Sequence, residues 1–257
     1  MFPCFLDPFR KHLRVALSVP VLALGLAASP PAQAATLTVI GDVNAGSGGN
    51  LQLYTQILGA GTDVLFSRGF EQLGAVVGHY RTLGARVTER DGALSLGVLS
   101  GVDLLVLTAP YNAVLTFTTL EIAAVKEFAI GGGDVLLVAE AKGASALTSY
   151  NTILEGLGVG MRFTGERYAQ AETLTDLQDT VLTQGMNSFR VSPYSTLRGG
   201  TASVIASQGT VIAQESIMLV APIPLPGALP LLFGGVGLMA LVRARGARRP
   251  AAAAGRA

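Results

Sequence analysis

Between residues 35 and 157, short apolar runs alternate with amphipathic segments, as they do when strands and helices take turns along a chain. Residues 104–107 and 135–138 form uninterrupted apolar runs, which is typical of strands covered on both faces of a sheet. The other strands predicted here lie at residues 36–40, 63–66 and 85–88. Strand–helix–strand units of this length predict a three-layer α/β fold with a mostly parallel sheet, as in flavodoxin-like proteins.

Three connections have the periodicity of amphipathic helices. In residues 70–83 one face carries Leu73, Val76, Val77, Tyr80 and Leu83. Residues 118–130 begin with Thr118 and Glu121, which have the spacing of a capping box. We expect the buried face of this second helix to contain Leu120, Ala123, Ala124, Glu127 and Phe128. Residues 144–157 form the third predicted helix.

The pattern changes after residue 158, where the apolar runs become shorter and the connections more polar. Predicted strands here are residues 159–163, 189–192, 202–207 and 211–214. We therefore expect a small β-rich region, appended to an edge of the main sheet, that completes a domain of residues 35–219.

Residues 1–34 have the three parts of a secretory signal peptide. An uncharged apolar stretch, residues 15–28, follows the basic residues Arg10, Lys11 and Arg14. Small residues at positions 32 and 34 then provide the pattern that a signal peptidase requires, so cleavage is expected between Ala34 and Ala35. An uncleaved membrane anchor is the alternative, although the stretch is short for a span.

A second apolar segment, residues 221–242, carries no charge and is followed by arginines. As a helix these 22 residues would reach about 33 Å, enough to cross the hydrocarbon core of a bilayer. The arginines are Arg243, Arg245, Arg248 and Arg249. The positive-inside rule places that end in the cytoplasm. We predict one transmembrane helix within residues 220–249, followed by a disordered tail, residues 250–257.

The order of these parts resembles the PEP-CTERM class of sorting signals. Residues 223–227 read Ile-Pro-Leu-Pro-Gly, with Pro224 and Pro226 as in the variant that has a Val-Pro-Leu-Pro-Ala core. The resemblance implies a Gram-negative bacterium with an exosortase-type transpeptidase that cuts near the prolines. It also implies an inner-membrane-anchored precursor that ends in the cell envelope, on the outer surface or outside the cell. A permanent tail anchor without processing is the alternative.

The charged residues are unevenly distributed along the chain. Overall there are 18 Lys or Arg and 17 Asp or Glu, but residues 35–220 contain 10 of the first and 16 of the second, a net charge of −6. An acidic exported domain argues against nucleic-acid binding. Cys4 is the one cysteine, and His12 and His79 are the two histidines. Disulfides, thiol nucleophiles and paired-histidine metal sites are therefore excluded from the exported part.

Residues 63–214 carry a second set of motifs. Val-Asp-Leu-Leu-Val-Leu at residues 102–107 is followed by the helix start at Thr118 and Glu121 and by Gly-Gly-Gly-Asp at residues 131–134. This succession resembles the class I glutamine amidotransferase-like superfamily, especially its non-catalytic members. In that family the nucleophile follows the strand that corresponds to residues 135–138. The resemblance places Glu140 at the position of the family's cysteine, where it cannot form a thioester.

Several polar residues follow predicted strands, at the edge where open α/β sheets bind ligands. They are Asp42, Asn44, Tyr111, Asn112 and Glu140. Paired carboxylates can bind a cation or serve as acid and base. An ion pair of Glu140 with Lys142 or a neighbouring arginine is the simpler explanation. A Ser–His pair would need His79 beside Ser67, which lacks the Gly-x-Ser-x-Gly turn.

Two functions remain open. The first is a surface or extracellular module without catalytic activity, which binds envelope polysaccharide or another surface protein. For this module we expect neither a cofactor nor a resident metal, and its processing partners are signal peptidase, the exosortase-type enzyme and the inner membrane. The alternative is a hydrolase that uses Glu140 as base, with a metal held by Asp42 or Asp103. The surroundings of Glu140 distinguish the two.

Overall fold

The computed structural model describes residues 35–68, 71–108 and 113–217. The predicted signal peptide and the predicted sorting signal, with its transmembrane helix at residues 221–242, lie outside the described residues. Within the described residues, no helix is long and apolar enough to span a membrane.

A mixed nine-stranded sheet forms the centre of an α/β fold. Five of its strands are parallel and lie side by side in the order β3–β2–β4–β5–β1. These strands are β1 (Ala35–Ile40), β2 (Asp63–Ser67), β3 (Arg86–Arg90), β4 (Leu104–Leu107) and β5 (Asp134–Val138). Their bounds agree with the predicted strands to within two residues, because uniform apolar runs between turn residues mark buried strands clearly.

Beyond β1 the sheet continues with antiparallel strands in the order β11–β9–β6, and β10 pairs with β11. The strands of this second half are β6 (Arg162–Tyr168), β7 (Glu172–Leu174), β8 (Phe189–Val191), β9 (Tyr194–Arg198), β10 (Thr201–Ala206) and β11 (Gly209–Ile217). Strands β7 and β8 form a separate two-stranded sheet. The β-rich region was predicted, whereas β7 and β9 were not, because polar residues interrupt their patterns.

The β-rich region is appended to the β1 edge of the five parallel strands, and β11 is the strand that joins it there. This strand pairs with all of β1, from Ala35 opposite Ile217 to Ile40 opposite Ile212. Because β5 lies on the other side of β1, the first strand of the domain is central. Sequence periodicity indicates which residues of a strand are buried, but it does not indicate which strand lies next to it.

Helices cover both faces of the sheet, as predicted for a three-layer fold. The helices are α1 (Leu51–Leu58), α2 (Gly74–Thr82), α3 (Leu96–Leu99), α4 (Thr119–Ile130) and α5 (Ala144–Leu157). Buried side chains of α1 and α2, such as Tyr54 and Tyr80, pack with Phe66 and Leu136 on one face. Those of α3, α4 and α5 pack on the other face, around Leu137.

The start of α4 is the predicted capping box. The Thr118 hydroxyl accepts a hydrogen bond from the Glu121 amide at 3.2 Å, and the Thr118 amide donates to the Glu121 carboxylate at 2.9 Å. The predicted buried face of α4 is partly confirmed, since Ala124 and Phe128 are buried, but Leu120 is 83% exposed whereas Ile122 and Val125 are buried. Ala123 and Glu127 are also exposed. Apolar residues lie on most sides of this helix, so the pattern alone does not define its rotation.

The contrast between a buried leucine in β5 and an exposed leucine in α4 leads to a stability prediction. Leu137 is fully buried in a central strand, so Leu137→Ala should lower the free energy of unfolding by about 2–5 kcal/mol. Leu120→Ala, at the exposed position, should change it by less than about 0.5 kcal/mol. Urea unfolding followed by circular dichroism measures both. Equal losses in the two variants would contradict the assignment of the core.

Candidate functional site

At two places along the carboxyl edge of the parallel strands, neighbouring connections run to opposite faces of the sheet. The chain leaves β1 for α1 on one face of the sheet and leaves β5 for α5 on the opposite face. It leaves β2 and β4, which are also neighbours, for α2 and α4 on opposite faces. Connections that diverge in this way leave a space between them, where open α/β sheets bind ligands. We call these spaces the β1/β5 crevice, between Gly41 and Ala139, and the β2/β4 crevice, between Arg68 and Thr108.

The β1/β5 crevice is covered by the protein's own chain. The start of β9 lies against the end of β1, where the Ser195 amide donates to the Gly41 carbonyl at 2.8 Å. The Ser195 hydroxyl accepts a hydrogen bond from the Ala141 amide at 2.9 Å, which joins the same segment to the turn after β5. A Cβ atom at position 41 would collide with the Ser195 carbonyl. Glycine at this position therefore permits the close approach that covers the crevice.

Asp42 holds the covering segment in place through hydrogen bonds from Ser192. Its side chain is fully buried. It accepts hydrogen bonds from the amides of Asn44 at 2.7 Å and Ser192 at 2.8 Å, and from the Ser192 hydroxyl at 3.1 Å. Burial raises the pKa of Asp42, and the charge of Glu140 raises it further, while the hydrogen bonds act in the opposite direction. The carboxylate is thus occupied by the chain itself.

Glu140 follows β5 at the mouth of the same crevice. Its carboxylate forms an ion pair with the guanidinium of Arg167, and the two side chains are 11% and 33% exposed. Arg167 belongs to β6 and lies opposite Ser195 of β9 in the sheet register. The pairing of β6 with β9 therefore brings the cation to Glu140. Lys142 contacts Glu140 only through the backbone, by a hydrogen bond from its amide to the Glu140 carbonyl.

The structure places no other predicted site residue that it describes, apart from Asp42, beside Glu140. Asn44 has an exposed side chain, and Tyr111 and Asn112 lie outside the described residues. Asp103 precedes β4, so it lies at the amino edge of the sheet, where the amides of Thr62 and Asp63 donate to it at 2.7 and 3.0 Å. A metal site that combines Asp103 with Glu140 is therefore excluded by geometry.

No group of three or more histidine, cysteine, aspartate or glutamate side chains that could hold a metal occurs in residues 35–68, 71–108 and 113–217. The ring nitrogen Nε2 of His79 lies 2.7 Å from the hydroxyl of Thr55, which joins α2 to α1. This hydrogen bond gives His79 a structural role between the two helices. The Ser–His pair considered from the sequence has no support, because His79 contacts Thr55 and the Ser67 hydroxyl has no hydrogen-bond partner within the described part of the chain.

The β2/β4 crevice contains an arginine that sequence reasoning missed. Nη2 of Arg68 donates to Oε1 of Glu121 at 2.7 Å, and its guanidinium lies over the Phe117 ring, 4.9 Å from the centroid. Glu121 also accepts hydrogen bonds from the amides of Thr118 and Leu94. Burial alone would raise the pKa of Glu121, but these donors outweigh it and lower the pKa. A charged carboxylate thus holds the guanidinium in place.

Two features suggest that Arg68 has more than a packing role. Among the described residues it is the one residue other than glycine with a positive φ, at 62°, a conformation that costs energy and is often found at functional sites. In addition, the buried Nε of Arg68 and hydroxyl of Ser67 have no hydrogen-bond partner among residues 35–68, 71–108 and 113–217. Arg68 follows a predicted strand, as Asp42 and Glu140 do, so the same rule could have found it.

Comparisons with known proteins give little guidance. No family model and no curated protein matches the chain. Among solved structures, it is similar to "the structure of MppP soaked with the product 2-ketoarginine", with 16% sequence identity and a TM-score of 0.34. The match covers 64% of this chain and 44% of that one, so the chain spans less than half the length of that protein. A likeness at this level supports no conclusion about function.

The cover of the β1/β5 crevice can be tested by adding one methyl group. Gly41→Ala should lower the free energy of unfolding by more than about 2 kcal/mol, because the new Cβ collides with the Ser195 carbonyl. Gly78→Ala is the matched control, since Gly78 lies in α2 with no atom near a new Cβ. It should be stabilising by about 0.5–1 kcal/mol. Denaturant unfolding measures both values, and a neutral Gly41→Ala would contradict the close approach.

Proposed function

We propose that residues 35–217 are an exported binding or structural module without catalytic activity, built on a class I glutamine amidotransferase-like fold. The observation that carries the proposal is the ion pair of Glu140 with Arg167. In an amidotransferase-like protein the nucleophile would occupy this turn. Here the turn holds the Glu140 carboxylate, whose charge is neutralised by Arg167 of β6.

The hydrolase alternative lacks the groups that it needs. A general base must reach the proton that it removes, so it needs a free carboxylate beside a substrate. Glu140 is paired, and the other acid of this crevice, Asp42, is buried and accepts three hydrogen bonds from the chain. Hydrolysis at this position would require both the Arg167 pair to separate and the segment around Ser195 to move away.

The β2/β4 crevice offers better chemistry for binding. Glu121 and Phe117 hold the Arg68 guanidinium in one orientation, which reduces the entropy that is lost when a ligand binds. A guanidinium recognises carboxylate groups and hydroxyl oxygens well. Envelope polysaccharide is therefore the partner class that we propose for this module.

The position of the first strand supports export with removal of the signal peptide. Ala35 is buried and is the first residue of β1, where it pairs with Ile217. Cleavage between Ala34 and Ala35 would leave this central strand complete. Cleavage several residues later would remove part of β1 and of its hydrogen bonds to two neighbours.

Processing at both ends can be tested by mass spectrometry of the mature protein. We expect Ala35 as the N-terminal residue and no peptide beyond the Pro224–Pro226 region. Cells that lack the exosortase-type enzyme are the control, and their protein should keep the C-terminal arginines. Recovery of intact residues 243–257 from cells with the enzyme would contradict processing but not export, and an N-terminus at Met1 would contradict removal of the signal peptide.

The absence of catalysis can be tested with Glu140→Gln. Assays with chromogenic esters, glycosides and phosphomonoesters, each with and without Mg²⁺ or Zn²⁺, should show no activity that depends on this residue. Glu127→Gln, at an exposed acid of α4, is the matched control. Hydrolysis by the wild type that falls roughly 100-fold in Glu140→Gln, but not in Glu127→Gln, would establish the hydrolase instead.

A further inference from the structure

The two ends of the domain lie side by side at one edge of the sheet. Strands β1 and β11 are antiparallel and pair from Ala35 opposite Ile217 onwards, so these two Cα atoms are about 5 Å apart. Because Ala35 begins a parallel strand, both ends lie at the amino edge. The two crevices, with Glu140 and Arg68, lie at the carboxyl edge.

The connection between the domain and the predicted membrane segment is short. Seven residue steps separate Ile217 from Pro224, the first of the two prolines near which the exosortase-type enzyme is expected to cut, so we place the end of the connection there. However these residues are arranged, they reach at most about 25 Å. The 183 residues from Ala35 to Ile217 form a domain about 40 Å across. The connection is therefore shorter than the domain, which limits how far the domain can turn at the membrane surface.

We infer that, while the C-terminal segment is in the bilayer, the domain faces the lipid surface with the amino edge of its sheet and presents the carboxyl edge away from it. This orientation rests on the proposed function, since it requires the C-terminal segment to be anchored in the membrane. Beyond the proposed function, the orientation specifies which surface of the domain faces the membrane and which surface remains accessible to a partner. A polysaccharide could reach Arg68 before the chain is cut.

The limited length of the connection, and not attraction between the domain and lipid, sets the orientation. The amino edge carries the carboxylates of Asp103, Asp134 and Glu215, each of which accepts hydrogen bonds from backbone amides. Negative charges at this edge repel anionic head groups. The edge therefore lies near the membrane surface without inserting into it, and lengthening the connection should abolish the preference.

Single cysteines can report the orientation, because Cys4 is the only natural thiol. Ser100 precedes β4 near the amino edge, and Ser145 lies at the start of α5 near the carboxyl edge; both are exposed. Ser100→Cys and Ser145→Cys, each combined with Cys4→Ser, are therefore a matched pair. The full chain, labelled with a fluorophore, is reconstituted into vesicles of phosphatidylethanolamine and phosphatidylglycerol that carry nitroxide-labelled head groups.

We expect quenching by the nitroxide to be at least about threefold stronger at position 100 than at position 145, because strands and loops hold the two edges apart. In a control chain, 20 Gly and Ser residues are inserted between Ile217 and Met218, which increases the maximum reach of the connection by about 70 Å. The ratio should then fall towards one.

Each outcome bears on a different step. Equal or reversed quenching in a chain that floats with the vesicles overturns the orientation and leaves the anchor intact. A chain that does not float with the vesicles overturns the membrane anchor of the proposed function, and the orientation with it. A ratio that persists after the insertion shows that the edge itself binds lipid, which overturns the role assigned to the short connection.

Discussion

The position of β1 between β5 and β11 is the constraint on which the rest of the structure depends. On one side its backbone pairs with β5 in the parallel half of the sheet, and on the other side it pairs with β11 in the antiparallel half. Without these hydrogen bonds the two halves would have no shared strand. The same pairing brings β9, the neighbour of β11, close to the end of β1. From there Ser195 can reach Gly41 and cover the β1/β5 crevice.

The two crevices differ because their polar groups are satisfied in different ways. In the β1/β5 crevice, burying the Asp42 carboxylate costs free energy, which hydrogen bonds from the Ser192 amide and hydroxyl offset. Glu140 forms an ion pair with Arg167 of β6, the strand that pairs with β9. In the β2/β4 crevice, Arg68 has a carboxylate partner, but its buried Nε has no hydrogen-bond partner among the residues that the structure describes. One crevice is thus closed by internal contacts, whereas the other retains bonding capacity.

Much of the fold could be predicted where local pattern and capping agree. Strand β4 and helix α5 have the predicted bounds, since an uninterrupted apolar run and a clear amphipathic period each favour one structure. The rotation of α4 could not be predicted, because Leu120 and Val125 are equally apolar and only the neighbouring elements decide which one is buried. Of the candidate site, the positions of Asp42 and Glu140 after strands were predictable. Their partners, Ser192 and Arg167, come from distant segments that no local pattern connects to them.

The sequence by itself determined the five parallel strands, the helices α2, α4 and α5, and the exclusion of thiol and paired-histidine chemistry from the exported part. These properties depend on residue type and local spacing. Only the tertiary structure decided that β11 lies beside β1, that Arg167 neutralises Glu140, and that Ala35 and Ile217 meet at one edge. Such contacts join residues far apart in the chain, and they form because the packing of the whole sheet leaves one unpaired side of β1 for β11 to occupy.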